Sequence, residues 1–195
     1  FTRSGYSNLI TIKDGEGVKF HEFIINLFAP FVSNNFFEAV VGYLIDSAMI
    51  IECENNTAFN ANDNNPDIKT CKMLVERFGN IDLAMLPYSG ASSYPSCFSN
   101  LSELEKFDAH NSILNRNFTY MRDLVETLDS NFVLPFAGSY VLGGKNYKKN
   151  QYLGATTVDK CAEYLRANLR NQTSVVCLRE KDTFNLSTGI SDNEY

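Results

Sequence analysis

The chain has 195 residues, of which 44% are hydrophobic, so it can bury a core and is expected to form one domain. Its formal net charge of −6 argues against nucleic acid as a partner, because a phosphate-binding surface needs an excess of basic residues. Its apolar stretches are too short or too interrupted to cross a bilayer, so no membrane partner is expected.

The chain begins with segments that are typical of sheet. Residues 8–13 alternate between polar and apolar side chains and predict a strand. A turn at residues 14–17 leads into a second short strand at 18–20. Residues 23–32 are apolar, but a run of this length does not distinguish a short helix from a strand.

Residues 40–60 continue the sheet pattern. Apolar, β-branched runs at 40–45 and 48–53 predict two more strands. The polar residues 54–56 predict a hairpin turn into another strand at 57–60. The whole N-terminal part of the chain is therefore interpreted as sheet.

The pattern changes at the Asn- and Asp-rich corner formed by residues 62–66. Pro66 suits the first position of a helix, and apolar residues on one face predict that this helix runs to residue 78. Gly79 is a fitting C-cap. The apolar run 81–86 then predicts a buried strand, which completes a strand–helix–strand unit.

The second half of the chain alternates between helix and strand. Residues 101–108 are charged and irregular, whereas 111–129 carry an apolar stripe that predicts the longest helix. A buried strand is predicted at 131–136 and a polar loop at 141–154. Residues 156–169 predict another helix with one apolar face.

Two strands are predicted to close the chain, at residues 174–178 and 183–186, with a turn at 180–182 between them. We expect residues 1–189 to form a single α/β domain and residues 190–195 to be a frayed tail.

The five cysteines indicate the compartment. They are odd in number and widely spaced, and three of them fall on the apolar faces of predicted elements. Reduced, buried thiols in a cytoplasmic protein are therefore expected.

Functional residues are expected in the loops that follow buried strands. The strands that end at Pro87 and Pro135 both lead into loops of small residues and tyrosines, and parallel pairing would bring both loops to one edge of the sheet. The candidate substrate-binding residues in these loops are Tyr88, Ser89, Gly90, Tyr94, Gly138, Tyr140 and Lys145.

Each of these residues also has a plainer interpretation. The tyrosines can offer phenol groups to a substrate or can serve as half-buried packing residues. Lys145, with Lys148 and Lys149, forms a local basic spot that could meet an anionic small molecule. Ser89 lacks the spacing and the base that a nucleophilic serine needs.

Asp63 belongs to a third corner, which follows a predicted strand and precedes a helix. A carboxylate there can bind a metal or a cationic group, or it can simply cap the helix. The two histidines, His21 and His110, have no partner at a ligand spacing, and no C-x-x-C pair is present.

Four segments together resemble the second, C-terminal half of the metallo-β-lactamase fold. They are residues 45–64, 82–98, 131–141 and 175–189, in the order in which that family has them. The resemblance is greatest to the branch of CMP-N-acetylneuraminate hydroxylase and related Rieske-associated proteins.

The resemblance implies a four-layer αββα sandwich with a metal site at the edge where strand ends meet. It implies that Asp63 contacts a divalent metal, zinc or iron, and that the loops at residues 87–95 and 135–145 line the substrate pocket. The family's H-x-H-x-D-H motif and the Rieske pattern C-x-H…C-x-x-H are absent from this sequence. The imidazoles would therefore come from an upstream segment, the missing N-terminal half, or from another chain.

The resemblance, together with the absence of these two motifs, leaves two possible functions. The first is a metal-dependent hydrolase or oxygenase-type component that acts on a polar small molecule, such as a nucleotide sugar. The second is a metal-free binding or assembly module that keeps the fold without catalysis.

Overall fold

A computed structural model of the chain describes residues 3, 5–31, 46–136 and 138–192. Its main sheet has seven strands that lie side by side in sequence order. They are β1 (Gly17–Phe20), β2 (Phe23–Phe28), β3 (Ala48–Cys53), β4 (Asn56–Asn60), β5 (Leu83–Pro87), β6 (Phe132–Phe136) and β7 (Ser174–Val175). Strands β1 to β4 pair antiparallel, whereas β4 to β7 pair parallel.

Helices connect the parallel strands, as the strand–helix–strand pattern predicts. They are α1 (Ile68–Phe78) between β4 and β5, α2 (Glu103–Leu128) between β5 and β6, and α3 (Val158–Asn168) between β6 and β7. A 3₁₀ segment (Gly144–Tyr152) precedes α3. A short hairpin of β8 (Phe184–Asn185) and β9 (Ile190–Ser191) follows β7. The predicted α/β class is confirmed.

The helices pack on one face of the sheet and bury the core. Alternate strand residues point to this face, so Phe59, Leu86 and Val133 are fully buried. They pack against apolar helix residues spaced by three or four positions, which are Cys71, Leu74, Phe118, Met121, Val125, Leu128, Cys161 and Leu165. The apolar stripes predicted for the three helices therefore face the core.

The opposite face of the sheet is apolar and partly exposed, and we call it the open face. It consists of Ile25, Leu27, Met49, Ile51, Ala58, Leu83, Met85, Phe132 and Leu134. The strand register makes part of it a continuous row, because Ile51 pairs with Ile25 and Ala58, and Leu83 pairs with Ala58 and Phe132. The β8–β9 hairpin touches one end of this row, where the Phe184 ring lies 4.9 Å from that of Phe132.

The N-terminal predictions had mixed outcomes. Residues 8–13 form no strand, because their alternation finds no partner, and Leu9 and Ile10 remain 50% and 67% exposed. Strands β1, β3 and β4 and the turn before β4 are confirmed, and the ambiguous run 23–32 contains strand β2. The strand predicted at 40–45 lies outside the described residues.

The first two predicted helices begin at residues other than those expected. Helix α1 begins at Ile68 and is capped by Asp67, whose carboxylate accepts a hydrogen bond from the Thr70 amide at 2.7 Å. The prediction that Pro66 opens this helix is therefore wrong, whereas Gly79 is its C-cap as predicted. Helix α2 begins at Glu103, so the prediction of irregular structure before residue 111 is wrong as well.

The end of the chain has shorter strands than predicted. Strand β7 contains only Ser174 and Val175, and β8 only Phe184 and Asn185. The tail predicted to fray from residue 190 is instead paired over Ile190 and Ser191, because β9 hydrogen-bonds to β8. Residues 193–195 lie outside the described part of the chain.

Candidate functional site

The carboxyl ends of β4, β5 and β6 lie at one edge of the sheet. The three strands are parallel neighbours, with Asn60 paired to Met85 and Pro87 paired to Phe136. The chain leaves these strands into three corners, at residues 61–65, 88–95 and 138–143. Open α/β sheets bind ligands at this edge, so the topology places the predicted corners where a site is expected.

The first corner is held by Asn64, not by Asp63. The buried Asn64 side chain accepts a hydrogen bond from the Phe31 amide at 2.7 Å and donates one to the Ala29 carbonyl at 2.9 Å. Asp63 is exposed, and its carboxylate has no hydrogen bond to any residue within the described ranges. Because Asp67 caps α1, the capping interpretation of Asp63 is wrong. Its role toward a metal stays a prediction.

A cavity of about 310 Å³ lies between the second corner and helix α2. The loop side includes Tyr88, Ser89, Gly90 and Tyr94, four of the candidate substrate-binding residues. The helix side is formed by Ile113, Arg116, Asn117 and Tyr120, and Asn65 and Gly154 complete the wall. The volume is at the lower end of the range of about 300–1,000 Å³ that is typical of ligand pockets.

The other three candidates do not line this cavity. Gly138 packs directly against the ring of Tyr88, and a Cβ added to it would lie 2.5 Å from that ring. Tyr140 donates its hydroxyl proton to the Ser92 carbonyl at 2.5 Å and so ties the third corner to the second. Lys145 is exposed in the 3₁₀ segment and does not line the cavity.

The sequence interpretation missed the helix side of the cavity. Ile113, Arg116, Asn117 and Tyr120 follow one another at intervals of three, one and three residues, which places them on one face of α2. The periodicity that identified the helix marks its buried stripe and leaves the remaining positions to be interpreted as solvated. Every helix contains such a set at i, i+3, i+4 and i+7, so this spacing alone does not show that the face lines a cavity.

Arg116 is the charged side chain among the described residues that line the cavity. Its guanidinium has no hydrogen bond or ion pair with the described residues, whereas Arg122 on the same helix is paired with Asp123 at 2.6 Å. The side chains of Tyr88 and Tyr120 are held more firmly than that of Arg116. Tyr120 donates its hydroxyl proton to the Pro66 carbonyl at 2.7 Å, and burial raises the pKa of Tyr88 and of Tyr120. The Ser89 hydroxyl is buried without a hydrogen-bond partner among the described residues.

The described residues do not fit a metal centre by themselves, because no group of three His, Cys, Asp or Glu side chains converges among them. His21 lies in the turn between β1 and β2, at the sheet edge opposite the three corners. His110 Nδ1 contacts the Leu153 carbonyl oxygen. Burial raises the pKa of Cys71 and Cys161 to about 12, so these thiols stay protonated near neutral pH and are poor ligands.

Comparison with protein-family models gives no match. Among curated proteins, the chain is 33% identical over 98 residues to a Mycobacterium tuberculosis protein named as a Rieske 2Fe-2S iron–sulfur protein, in strains CDC 1551 / Oshkosh and H37Rv. The match covers 50% of this chain and 18% of the relative, so the chain spans about a fifth of the relative's length.

Solved structures show the fold. CmlA, a diiron β-hydroxylase from Streptomyces venezuelae, superposes with a TM-score of 0.52 at 13% identity, over 91% of this chain and 35% of CmlA. Igni18, a metallo hydrolase from Ignicoccus hospitalis, superposes with a TM-score of 0.54 at 11% identity, over 100% of this chain and 64% of Igni18. The chain therefore has the α/β fold of the metallo-β-lactamase superfamily, as the sequence resemblance implied.

The helices in the described ranges include none with the length and apolar character needed to cross a bilayer. The narrower resemblance, to the hydroxylase and Rieske-associated branch, stays a prediction.

Proposed function

We propose that this chain supplies the substrate-binding half of a metal-dependent hydrolase or oxygenase of the metallo-β-lactamase fold. The observation that carries the proposal is the cavity at the carboxyl ends of the parallel strands, bordered by the corner that holds Asp63. The similar structures include a diiron hydroxylase and a metallo hydrolase, which favours metal chemistry at this edge.

The metal would need ligands from outside the described residues. Asp63 is the one exposed carboxylate at the first corner, and it is free to bind a cation. Since the described side chains form no complete ligand set, imidazoles from an N-terminal half or from another chain would complete the site. A divalent zinc or iron ion bound there would supply Lewis-acid or redox chemistry. The residues of this chain would hold and orient the substrate beside it.

The open face supports the need for a second half. A row of apolar side chains across β2 to β6 is a surface that proteins normally cover with another layer. A second sheet packed on this face would produce the αββα sandwich. The chain spans 35% of CmlA and 64% of Igni18, which is consistent with a partial fold unit.

The substrate in this proposal is a polar small molecule in the cytoplasm. Hydroxyl, amide and guanidinium groups in the cavity favour a polar ligand. The resemblance to the hydroxylase branch points to a compound of nucleotide-sugar type. Five free cysteines support a reducing compartment.

Metal analysis tests this proposal. The protein expressed from its complete reading frame should contain stoichiometric zinc or iron, measured by mass spectrometry of the purified sample. Asp63→Asn should lower that content, because the substitution removes the anionic ligand while it keeps the shape of the side chain. Asp67→Asn is the matched control, because Asp67 lies four residues later and its carboxylate caps α1. This variant should keep its metal. Metal-free protein, or content unaffected by Asp63→Asn, would overturn the proposal.

The alternative is a metal-free binding or assembly module. The observation in its favour is that contacts within this chain define the cavity, namely Tyr88 against Gly138, Tyr120 on Pro66 and Tyr140 on Ser92. Protein that lacks metal but binds a polar ligand or a partner chain would support this alternative.

A further inference from the structure

We infer that the cavity beside β5 binds an anionic ligand, whose phosphate or carboxylate group pairs with Arg116 and whose ring packs against Tyr94. The inference rests on the proposed function in treating this cavity as the substrate pocket, and it names the substrate class. It assigns the recognition of charge to a helix residue rather than to the lysines of the 3₁₀ segment.

The first argument is that the Arg116 side chain has no partner within the described part of the chain. Arg77 donates to the Gly15 carbonyl, Arg122 to Asp123 and Arg166 to the Val175 carbonyl, but the Arg116 guanidinium bonds to no described residue. The helix offers it no carboxylate either. Its neighbours three and four positions away are Ile113, Ser112, Thr119 and Tyr120. A guanidinium on a cavity wall without a carboxylate is available for an incoming anion.

The second argument is the sign of the charge in the cavity. The chain as a whole is acidic, with a net charge of −6, yet none of the described residues that line the cavity is Asp or Glu. Arg116 therefore gives the cavity a positive charge within an acidic molecule. Concave walls of low polarizability concentrate such a field, so the cavity favours an anion over a neutral or cationic ligand.

The third argument is the neutral part of the wall. The side-chain amides of Asn65 and Asn117 line the cavity and have no hydrogen-bond partners among the described residues, so they can meet hydroxyl groups. Tyr94 is 41% exposed, and its ring makes an edge-on contact with the Phe98 ring, with 5.1 Å between the ring centroids. An exposed aromatic face beside free amides suits a hydroxylated ring. The ligand class is therefore a sugar or similar ring that carries an acid group.

Binding of simple probes tests the inference. We would titrate the complete protein, in a buffer with EDTA, with glucose 6-phosphate, glucuronate and glucose, and follow binding by calorimetry. At least one of the two anions should bind, and glucose should bind at least about tenfold more weakly. Arg116→Gln should weaken anion binding by about tenfold to a hundredfold, as expected for a lost charge-assisted hydrogen bond. Arg116→Lys should weaken it less, because the charge remains but the forked donor pair is lost.

Arg122→Gln is the matched control, since it removes the same charge from the same helix outside the cavity. The inference is overturned if neither anion binds, if glucose binds as well as the anions, or if Arg122→Gln weakens binding as much as Arg116→Gln. Preference for glucose 6-phosphate would identify a phosphate ligand, and preference for glucuronate a carboxylate. Because EDTA is present, the outcome is independent of the metal analysis, and either proposal can fail alone.

Discussion

At the residue scale, the close contact between Gly138 and Tyr88 determines how the second and third corners fit together. Tyr88 is 5% exposed, and its ring lies where a side chain at position 138 would begin. Two of the ring atoms would be 2.5 Å from an added Cβ, well inside van der Waals contact. Only glycine leaves room for the ring, so this residue fixes one side of the cavity.

We expect Gly138→Ala to lower the free energy of unfolding by about 1–3 kcal/mol, because the buried Tyr88 ring must move to relieve the clash. Urea unfolding followed by circular dichroism measures the effect. Gly90→Ala is the matched control in the neighbouring loop, because a Cβ at position 90 meets no atom within 4 Å. Equal stabilities for the two variants would show that the Tyr88 ring adapts freely and is not a fixed wall.

The same scale shows what could be predicted about the site. The sequence places Tyr88, Ser89, Gly90 and Tyr94 in a loop at a strand end, because an apolar strand is followed by small residues, and these residues line the cavity. Their contact with a substrate stays a prediction. Arg116 could not be found in that way. It lies on a helix whose apolar stripe faces the core, and only the tertiary packing shows that another face of α2 lines a cavity together with the loop.

At the element scale, helix α2 begins with a capping box that explains why it starts at Glu103. The Ser102 hydroxyl accepts a hydrogen bond from the Glu105 amide at 3.3 Å, and the Ser102 amide donates to the Glu105 carboxylate at 2.8 Å. The sequence contains this S-x-x-E motif, and the charged composition of residues 101–108 obscured it. The strand prediction for residues 8–13 is wrong for a different reason. The alternation of polar and apolar residues is present, but a strand also needs a neighbouring strand to pair with.

The capping box makes the stability of α2 depend on pH. The hydrogen bond from the Ser102 amide lowers the pKa of Glu105 below its ordinary value of 4.5. A lowered folded-state pKa stabilises the protein above the ordinary value, and that stabilisation is lost as the pH falls through the lowered value. We expect Glu105→Gln to reduce the urea midpoint at about pH 7 and to match the wild-type protein once the pH lies below the lowered pKa.

Glu103→Gln is the control for this experiment. Glu103 lies in the same first turn, so its replacement removes the same charge from the positive end of the helix dipole without breaking the box. The difference in urea midpoint between the wild-type protein and Glu105→Gln should therefore depend more steeply on pH than the difference between the wild-type protein and Glu103→Gln. Parallel curves for the two variants would show that the helix dipole, and not the capping box, causes the effect.

At the scale of the whole molecule, local sequence patterns predict the order of the elements but not whether a further layer covers the sheet. Buried strands and amphipathic helices leave local patterns, so the alternation that begins at β4 could be followed along the chain. No local sequence pattern shows whether the open face is covered. Its residues occupy the other positions of the same strands, and strands buried on both faces look alike whether the second covering layer is present in the chain or elsewhere.

A charge placed on the open face distinguishes a covered sheet from a solvated one. Met85 lies on this face in the centre of the parallel strands, and Met73 is 39% exposed on helix α1. In the protein expressed from its complete reading frame, we expect Met85→Glu to lower the free energy of unfolding by about 3 kcal/mol or more. A second sheet would bury the new carboxylate without a partner.

Met73→Glu is the same substitution at a solvent-facing position, so its effect should stay within about 0.5 kcal/mol. Urea unfolding of both variants gives the comparison, and the metal content of the Met85 variant should fall together with its stability if the covering layer also carries the imidazoles. Similar, small effects for the two substitutions would mean that water meets the open face. The cavity would then belong to a sheet covered by helices on one face only, and the binding-module interpretation would be favoured over the enzyme.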